Sequence, residues 1–203
     1  MNRDLLTLIA ITDDLHDGID GLVERASEVA RGGATMVELR LKYADPRLLV
    51  DVGRALVAAL PIPVIVNDRA DIALAAGAAG VHLGPDDVPV RAVRSIAPPA
   101  FIIGASVRNE DEIENASAAD YVAIGSVYGT RSKRDAGIPI GLGDFARLAT
   151  LAGRPAVGVG GITANTAGAV IDAGAVGVAA LSALFGAEHP DRAALAIRSA
   201  IGR

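Results

Sequence analysis

The chain has 203 residues, of which 51% are hydrophobic and 21% charged, a composition that excludes a disordered protein and suffices for one sizeable core. The net charge of −5, the aromatic fraction of 3% and the lack of Trp argue against a surface that binds nucleic acid or stacks bases. The chain contains no Cys, which excludes disulfides, thiolate metal sites and cysteine nucleophiles.

Short apolar runs alternate with helical patterns along the whole chain. The predicted strands cover residues 6–11, 35–39, 64–66, 80–82, 101–104, 121–124, 156–159 and 176–180. The predicted helices cover residues 20–31, 46–60, 70–76, 90–96, 109–118, 145–151 and 193–201, and another follows Gly160-Gly161 with a cap near Thr163. Alternating strand–helix units predict a parallel sheet, and eight of them predict an α/β protein with a closed (β/α)8 TIM barrel. We expect residues 1–203 to form this single domain.

A weak internal repeat supports the count of eight. A small-residue helix end leads straight into strands two, four, six and eight, in the segments GGATMVEL, GAAGVHLG, SAADYVAIG and GAVGVAAL. A doubly wound open sheet is the alternative fold, but no G-x-G-x-x-G follows the first strand. In a barrel, the functional residues are expected where the strands end and their loops begin.

Two carboxylates follow strands three and four at the same relative place. Asp68 and Asp87 each come just past a strand, and parallel strands end on one edge, so both should face a shared volume. Such a pair suits a hard cation such as Mg²⁺, with phosphate oxygens completing its shell. The alternative is that each Asp caps the helix that follows it.

Charged and polar side chains surround this expected metal site. Glu38, Arg40 and Lys42 are spaced by two at the end of strand two, which would place them on one face of an extended segment. At a barrel mouth this would be a charged wall for a phosphate, whereas on a surface strand it would be ordinary. Asn67 precedes Asp68, and Ser106 ends strand five.

The long loop 125–142 after strand six carries both hydroxyls and cations. Thr130, Ser132 and Lys133 lie in its middle, beside Arg131 and Arg134. Its glycines would let it move as an active-site flap. The alternative is a solvated run of charges.

A second anion site is predicted after strands seven and eight. Gly160-Gly161 stands between a strand and a helix, where bare backbone N–H groups can bind a phosphate, and Ser182 follows strand eight. The alternative is that the glycine pair only permits a tight turn. His82 lies in an apolar strand and is interpreted as a core or supporting imidazole. With no catalytic dyad evident, a metal-bound diphosphate is the expected leaving group.

These motifs resemble the family shared by the thiamine phosphate synthases and the thiazole tautomerases. The resemblance covers nearly the whole chain and rests on ELR-x-K at 38–42, NDR-x-D at 67–71, GVHLG-x-x-D at 80–87, G-x-S at 104–106, T-x-S-K at 130–133, GGIT at 160–163 and SALF at 182–185.

The resemblance implies a transferase that joins hydroxymethylpyrimidine diphosphate to thiazole phosphate and releases pyrophosphate. It implies Mg²⁺ on Asp68 and Asp87, the diphosphate near Arg40, Lys42, Asn67, Ser106 and Lys133, and the thiazole phosphate at Gly160, Gly161 and Ser182. It also places Thr130 and Ser132 in the flap, makes Arg40, Ser106 and Lys133 the catalytic set, and implies a dissociative mechanism. The partners would then be these small molecules, and the composition argues against nucleic acid. The N-terminus is unlike a signal peptide and no uninterrupted apolar run reaches transmembrane length, so we expect a cytoplasmic protein without a membrane partner. A homodimer is the assembly considered.

The chain departs from the family pattern at Glu38, where relatives usually have Gln against the pyrimidine, and at Pro85, where Gln is common. These changes motivate a non-catalytic, thiazole-phosphate-binding paralogue as one alternative. A thiazole tautomerase is the other. Its working His would fall near Ser126, and it tends to lose the carboxylate that is present here as Asp87.

Overall fold

The computed structural model describes residues 2–12, 14–129 and 138–202, and in them eight parallel strands close into a barrel in chain order. The strands are β1 Leu8–Ile11, β2 Met36–Leu39, β3 Val64–Asn67, β4 Gly80–Leu83, β5 Ile102–Val107, β6 Tyr121–Gly125, β7 Ala156–Val159 and β8 Gly177–Ala180. Strand β8 pairs with β1 through Ile9 and Ala179, which closes the ring. The predicted (β/α)8 barrel is confirmed. That residues 1–203 form one domain stays a prediction.

Helices follow the strands and cover the outside of the barrel. They are α1 Gly18–Arg31, α2 Pro46–Ala59, α3 Ala70–Ala76, α4 Val90–Ile96, α5 Ile113–Ala116, α6 Gly141–Ala152, α7 Ala164–Asp172, α8 Ser182–Phe185 and α9 Pro190–Ile201. Within the described residues, no helix combines the length and the apolar character that a membrane span requires.

Each strand supplies residues to two cores because successive side chains point to opposite faces. In β3, Val64 and Val66 pack against the helices, while Ile65 points into the barrel. The inner core is small, and it includes Ile9, Met36 and Tyr121. Most apolar burial therefore lies between the sheet and the helices, which leaves the mouth of the barrel available for polar side chains.

Several predicted bounds differ from the structure, among them the starts of α1, α6 and α9, which begin earlier than predicted, and three further differences have an identifiable basis or bear on the site. The first strand begins at Leu8, because Asn2 accepts a hydrogen bond from the Asp4 N–H and stabilises a 3₁₀ turn over Arg3–Leu6. Strand β5 continues to Val107, past the predicted end at residue 104, so Ser106 lies inside the strand.

The predicted helix over 109–118 is the third. It is reduced to a 3₁₀ turn over Glu110–Glu112 and the single-turn α5. Glu112 folds back to accept a hydrogen bond from the Arg108 N–H at 2.7 Å, and Asn115 accepts one from the Val90 N–H at 3.3 Å. These bonds hold the short segment in place, Glu112 to the turn before it and Asn115 to the start of α4.

Candidate active site

A cavity of about 710 Å³ opens at the carboxyl ends of the strands, where a barrel is expected to hold its site. Its size suits a ligand of drug-like dimensions. Seven of the predicted site residues line it, namely Glu38, Arg40, Asn67, Ser106, Gly160, Gly161 and Ser182. The two anion sites predicted from the sequence therefore share one continuous volume.

Strand β2 delivers Glu38 and Arg40 to one wall of the cavity. Glu38 is buried, with 5% of its surface exposed. The Nη2 atom of Arg40 is also buried and has no hydrogen-bond partner among the described residues. A buried guanidinium nitrogen without an acceptor is costly, so this wall is suited to a ligand that brings anionic oxygens.

Lys42 does not share this wall. The strand ends at Leu39, the chain turns so that the Ala44 N–H bonds to the Leu41 carbonyl, and Lys42 is exposed. The predicted common face for Glu38, Arg40 and Lys42 is wrong at Lys42, because alternation holds only while the chain stays extended.

Asp68 and Asp87 leave β3 and β4 as predicted, and neither caps a helix. The N-caps of α3 and α4 are Arg69 and Pro89. Asp68 has a left-handed φ of 65°, and its N–H donates to the His82 carbonyl at 2.7 Å, which ties the elbow after β3 to β4. The Oδ2 atom of Asp87 accepts a hydrogen bond from the Gly84 N–H at 2.6 Å. Both carboxylates are half-buried and lie outside the lining of the cavity.

These residues fit a metal that is completed by substrate oxygens. Among the described residues, no cluster of three or more acidic or histidine side chains could hold an ion by itself. Mg²⁺, however, is usually bound by only one or two carboxylates together with phosphates and water. The Oδ1 atom of Asp87 is not used by the bond to Gly84, so the pair Asp68 and Asp87 suits this second kind of site.

His82, Tyr121 and Ser106 form a row across the inner wall. The Nδ1 atom of His82 is 3.0 Å from the Tyr121 hydroxyl, and its Nε2 atom is 3.0 Å from the Ser106 Oγ. Tyr121 is fully buried, and this burial, with the charges of Glu38 and Asp120, raises its pKa well above the usual value for a phenol. His82 is thus a supporting imidazole, as interpreted from the sequence.

The glycine pair after β7 lies against the loop that follows β6. Gly160 and Gly161 have φ values of 92° and 70°, and a Cβ on Gly160 would lie 2.1 Å from the Ser126 Oγ. A Cβ on Gly161 would lie 2.7 Å from the Gly129 carbonyl. Glycine is required here for both the backbone conformation and the close approach.

Three hydroxyl side chains also line this end of the cavity, those of Ser126, Thr163 and Ser182. Helix α7 begins at Ala164 with Thr163 as its cap, in agreement with the predicted cap. Ser182 begins the short α8, and the buried Ser126 Oγ has no hydrogen-bond partner among the described residues.

Sequence reasoning missed several residues that shape the cavity. Tyr121 lines the cavity although it lies at the start of β6. Thr12, just past β1, accepts a hydrogen bond from the Arg40 N–H and so holds the end of β2 in place. Arg108 lines the rim and pairs with Glu112. A polar residue inside an otherwise apolar strand was the available signal for Tyr121. Thr130, Ser132 and Lys133 lie outside the described residues, so their roles in a flap stay predictions.

Comparison with known proteins identifies the family. The family model described as thiamine monophosphate synthase matches residues 8–184. The chain belongs to the thiamine monophosphate synthase family. It is 43% identical to a thiamine-phosphate synthase of Roseiflexus castenholzii over 92% of this chain and 84% of the relative. It is 42% identical to the enzyme of that name from Azorhizobium caulinodans, over 97% of this chain and 95% of the relative.

A solved member supports the thiamine monophosphate synthase assignment in three dimensions. The thiamine phosphate pyrophosphorylase of Pyrococcus furiosus superposes with a TM-score of 0.87 at 36% identity, over 98% of this chain and 97% of that one. A 3-hexulose-6-phosphate synthase, at 23% identity and a TM-score of 0.72, shares the fold.

Proposed function

We propose that this chain joins hydroxymethylpyrimidine diphosphate to hydroxyethylthiazole phosphate, giving thiamine phosphate and pyrophosphate. The observation that carries the proposal is the single cavity with two anion-binding ends. One end has the Arg40 guanidinium, whose Nη2 atom is buried, and the other has Gly160-Gly161 with Ser182. Family membership at about 40% identity to thiamine-phosphate synthases supports the same activity.

The diphosphate end is assigned by charge. Arg40 and Ser106 would donate to the diphosphate oxygens, with Asn67 beside them and Lys133 reaching in from the flap. Charge-assisted hydrogen bonds to these oxygens strengthen as pyrophosphate departs, so they favour the transition state over the bound substrate. Asp68 and Asp87 would hold Mg²⁺, which neutralises charge on the leaving diphosphate.

The pyrimidine would lie over the buried Glu38, whose carboxylate can accept a hydrogen bond from the exocyclic amino group. The electron-rich ring then stabilises the methylene cation left by pyrophosphate. The thiazole nitrogen captures that cation, held in place by its phosphate at Gly160, Gly161 and Ser182. Holding both partners in one cavity converts the second step into an intramolecular one. No protein base is needed for either step.

Thiazole tautomerisation is the second candidate, and the residue at its expected base position argues against it. Ser126 is a buried hydroxyl, and the neighbouring described residues offer it no hydrogen-bond partner that could activate it. A non-catalytic paralogue is the third candidate, motivated by Glu38. The products that the protein forms distinguish both of these candidates from the synthase.

The test combines purified protein, the two phosphorylated substrates and Mg²⁺, with thiamine phosphate and pyrophosphate followed by mass spectrometry. Equal amounts of both products are expected, and Arg40→Met should abolish them. An isomerised thiazole phosphate without coupling would support the tautomerase. Binding of thiazole phosphate without any product would support the paralogue. The cytoplasmic location and the homodimer stay proposals, the latter tested by light scattering of the purified protein.

A further inference from the structure

The row Tyr121–His82–Ser106 crosses three neighbouring strands. In the register of the sheet, His82 on β4 is opposite Gly104 on β5, and Gly104 is opposite Tyr121 on β6. Because Gly104 has no side chain, the tyrosine ring lies over it and its hydroxyl reaches His82. A Cβ on Gly104 would stand 2.3 Å from the Tyr121 Cζ atom. The glycine therefore makes the contact between β4 and β6 possible.

The direction of the hydrogen bonds follows from burial. Tyr121 is fully buried, and its bond to His82 is the only one that the described residues give to its hydroxyl. If the phenol accepted from Nδ1–H, its own proton would be buried without an acceptor, which proteins avoid. The phenol therefore donates to Nδ1, and the proton of the imidazole is on Nε2.

That proton faces Ser106. With Nε2–H as the donor, the Ser106 Oγ is the acceptor of the 3.0 Å bond. A hydroxyl that accepts on one side has its own proton left to donate on the other. Ser106 lines the cavity, so this remaining proton can be directed at a bound ligand.

We propose that Tyr121 is a positioning residue that holds His82 as its Nε2–H tautomer and thereby sets Ser106 as a hydrogen-bond donor to the leaving diphosphate. The second half of this inference rests on the proposed function. The first half concerns only the folded protein, so the two halves can be tested apart. The assignment gives Tyr121, which no motif marks, a part in the reaction without contact with the reacting atoms.

The tautomer is measured directly by long-range ¹H–¹⁵N NMR correlation of the histidine rings. The chain has three His, and His16→Gln and His189→Gln assign the remaining signals to His82. The expected result is the pattern of a single Nε2–H tautomer in the wild-type protein, which is lost in Tyr121→Phe. An Nδ1–H pattern in the wild-type protein overturns the proposal, whether or not the variant folds and whether or not the protein is active.

A double-mutant cycle tests the link to the diphosphate. Ser106→Ala should lower kcat about a hundredfold, as the loss of one aligned donor does. Tyr121→Phe should lower kcat about tenfold, the effect of one hydrogen bond, with the KM of thiazole phosphate unchanged. The double variant should be no slower than Ser106→Ala, whereas multiplied effects would show that Tyr121 does not act through Ser106. A wild-type protein that makes no thiamine phosphate refutes the proposed function and the role given to Ser106, and the NMR result still decides the tautomer.

Discussion

The hydroxyl of Thr12 forms two hydrogen bonds with the backbone of Arg40. Its Oγ1 accepts from the Arg40 N–H at 2.9 Å and donates to the Arg40 carbonyl at 3.3 Å, while the Thr12 N–H bonds to the Glu38 carbonyl at 2.9 Å. Thr12 is fully buried. The residue just past β1 therefore fixes the backbone that delivers the cavity's guanidinium.

Thr12→Val should impair the diphosphate end of the site. Valine keeps the shape but leaves the Arg40 N–H without its acceptor, so we expect a loss of about 1–2 kcal/mol in stability and a higher KM for the pyrimidine diphosphate. The matched control is Thr35→Val, since Thr35 bonds to Leu5 and Leu8 at the opposite end of the barrel. It should cost similar stability in urea unfolding and leave the kinetics unchanged. Equal kinetic effects in both variants would contradict a local role for Thr12.

Arg40→Met should abolish pyrophosphate binding without lowering the thermal stability of the free protein. The Nη2 atom of Arg40 is buried without a hydrogen-bond partner among the described residues, so its removal should leave the Tm of the free protein unchanged or higher. Pyrophosphate should raise the Tm of the wild-type protein but not that of the variant. Arg94→Met is the control, because Arg94 donates to the Phe101 carbonyl and to Asp120, and it should lower the Tm while the pyrophosphate effect persists. A pyrophosphate effect that survives Arg40→Met would remove Arg40 from the site.

Asp68→Asn and Asp87→Asn should each raise the Mg²⁺ concentration needed for half-maximal rate and lower kcat at least a hundredfold, since a metal ion supplies several kcal/mol of charge stabilisation. Asparagine tolerates the left-handed φ of Asp68 and keeps an acceptor for the Gly84 N–H, so folding should persist. Asp86→Asn, at an exposed neighbouring position, is the control and should behave as the wild type. A normal Mg²⁺ titration in Asp68→Asn or Asp87→Asn would refute that residue as a ligand.

Glu38→Gln tests whether the carboxylate itself is needed. Glutamine has nearly the same shape as the buried Glu38 and supplies the amide that the family resemblance implies at this position, so the KM for the pyrimidine diphosphate should stay the same or fall at neutral pH. Steady-state kinetics with both substrates measures this. A hundredfold loss in kcat/KM, about 2.7 kcal/mol, would show that the chain uses its carboxylate and has diverged from its relatives.

The free energy of unfolding should fall at alkaline pH because of the ionisation of Tyr121. Its pKa is raised by burial and by the charges of Glu38 and Asp120, so the folded protein keeps a proton that the unfolded chain releases above about pH 10. The contribution is complete below that pH and is lost as the pH rises. Urea unfolding between pH 8 and pH 11, with tyrosinate absorbance, should show the loss in the wild type and a flatter profile in Tyr121→Phe. Glu38→Gln should bring ionisation of Tyr121 to lower pH, and identical profiles in all three proteins would exclude Tyr121 as the cause.

The sequence by itself determined the architecture and several of the polar residues that line the cavity. Alternating strands and helices dictate a parallel sheet, and in a barrel the residue just past each strand faces the same mouth. This local rule was sufficient for Arg40, Asn67 and the glycine pair after β7, since each depends only on where its own strand ends. It failed at Lys42, where the chain turns.

Tertiary structure decided which side chains cooperate. The bonds from Thr12 to Arg40, from Tyr121 to His82 and from His82 to Ser106 join residues 28, 39 and 24 positions apart in the chain. They depend on the register between strands, and for Tyr121 on the missing side chain of Gly104. The register between the strands cannot be predicted from a local sequence pattern, because the packing of all eight strands of the closed barrel sets that register together. The sequence could therefore predict which polar residues reach the mouth of the barrel from the ends of their own strands, while the hydrogen bonds that orient them required the fold.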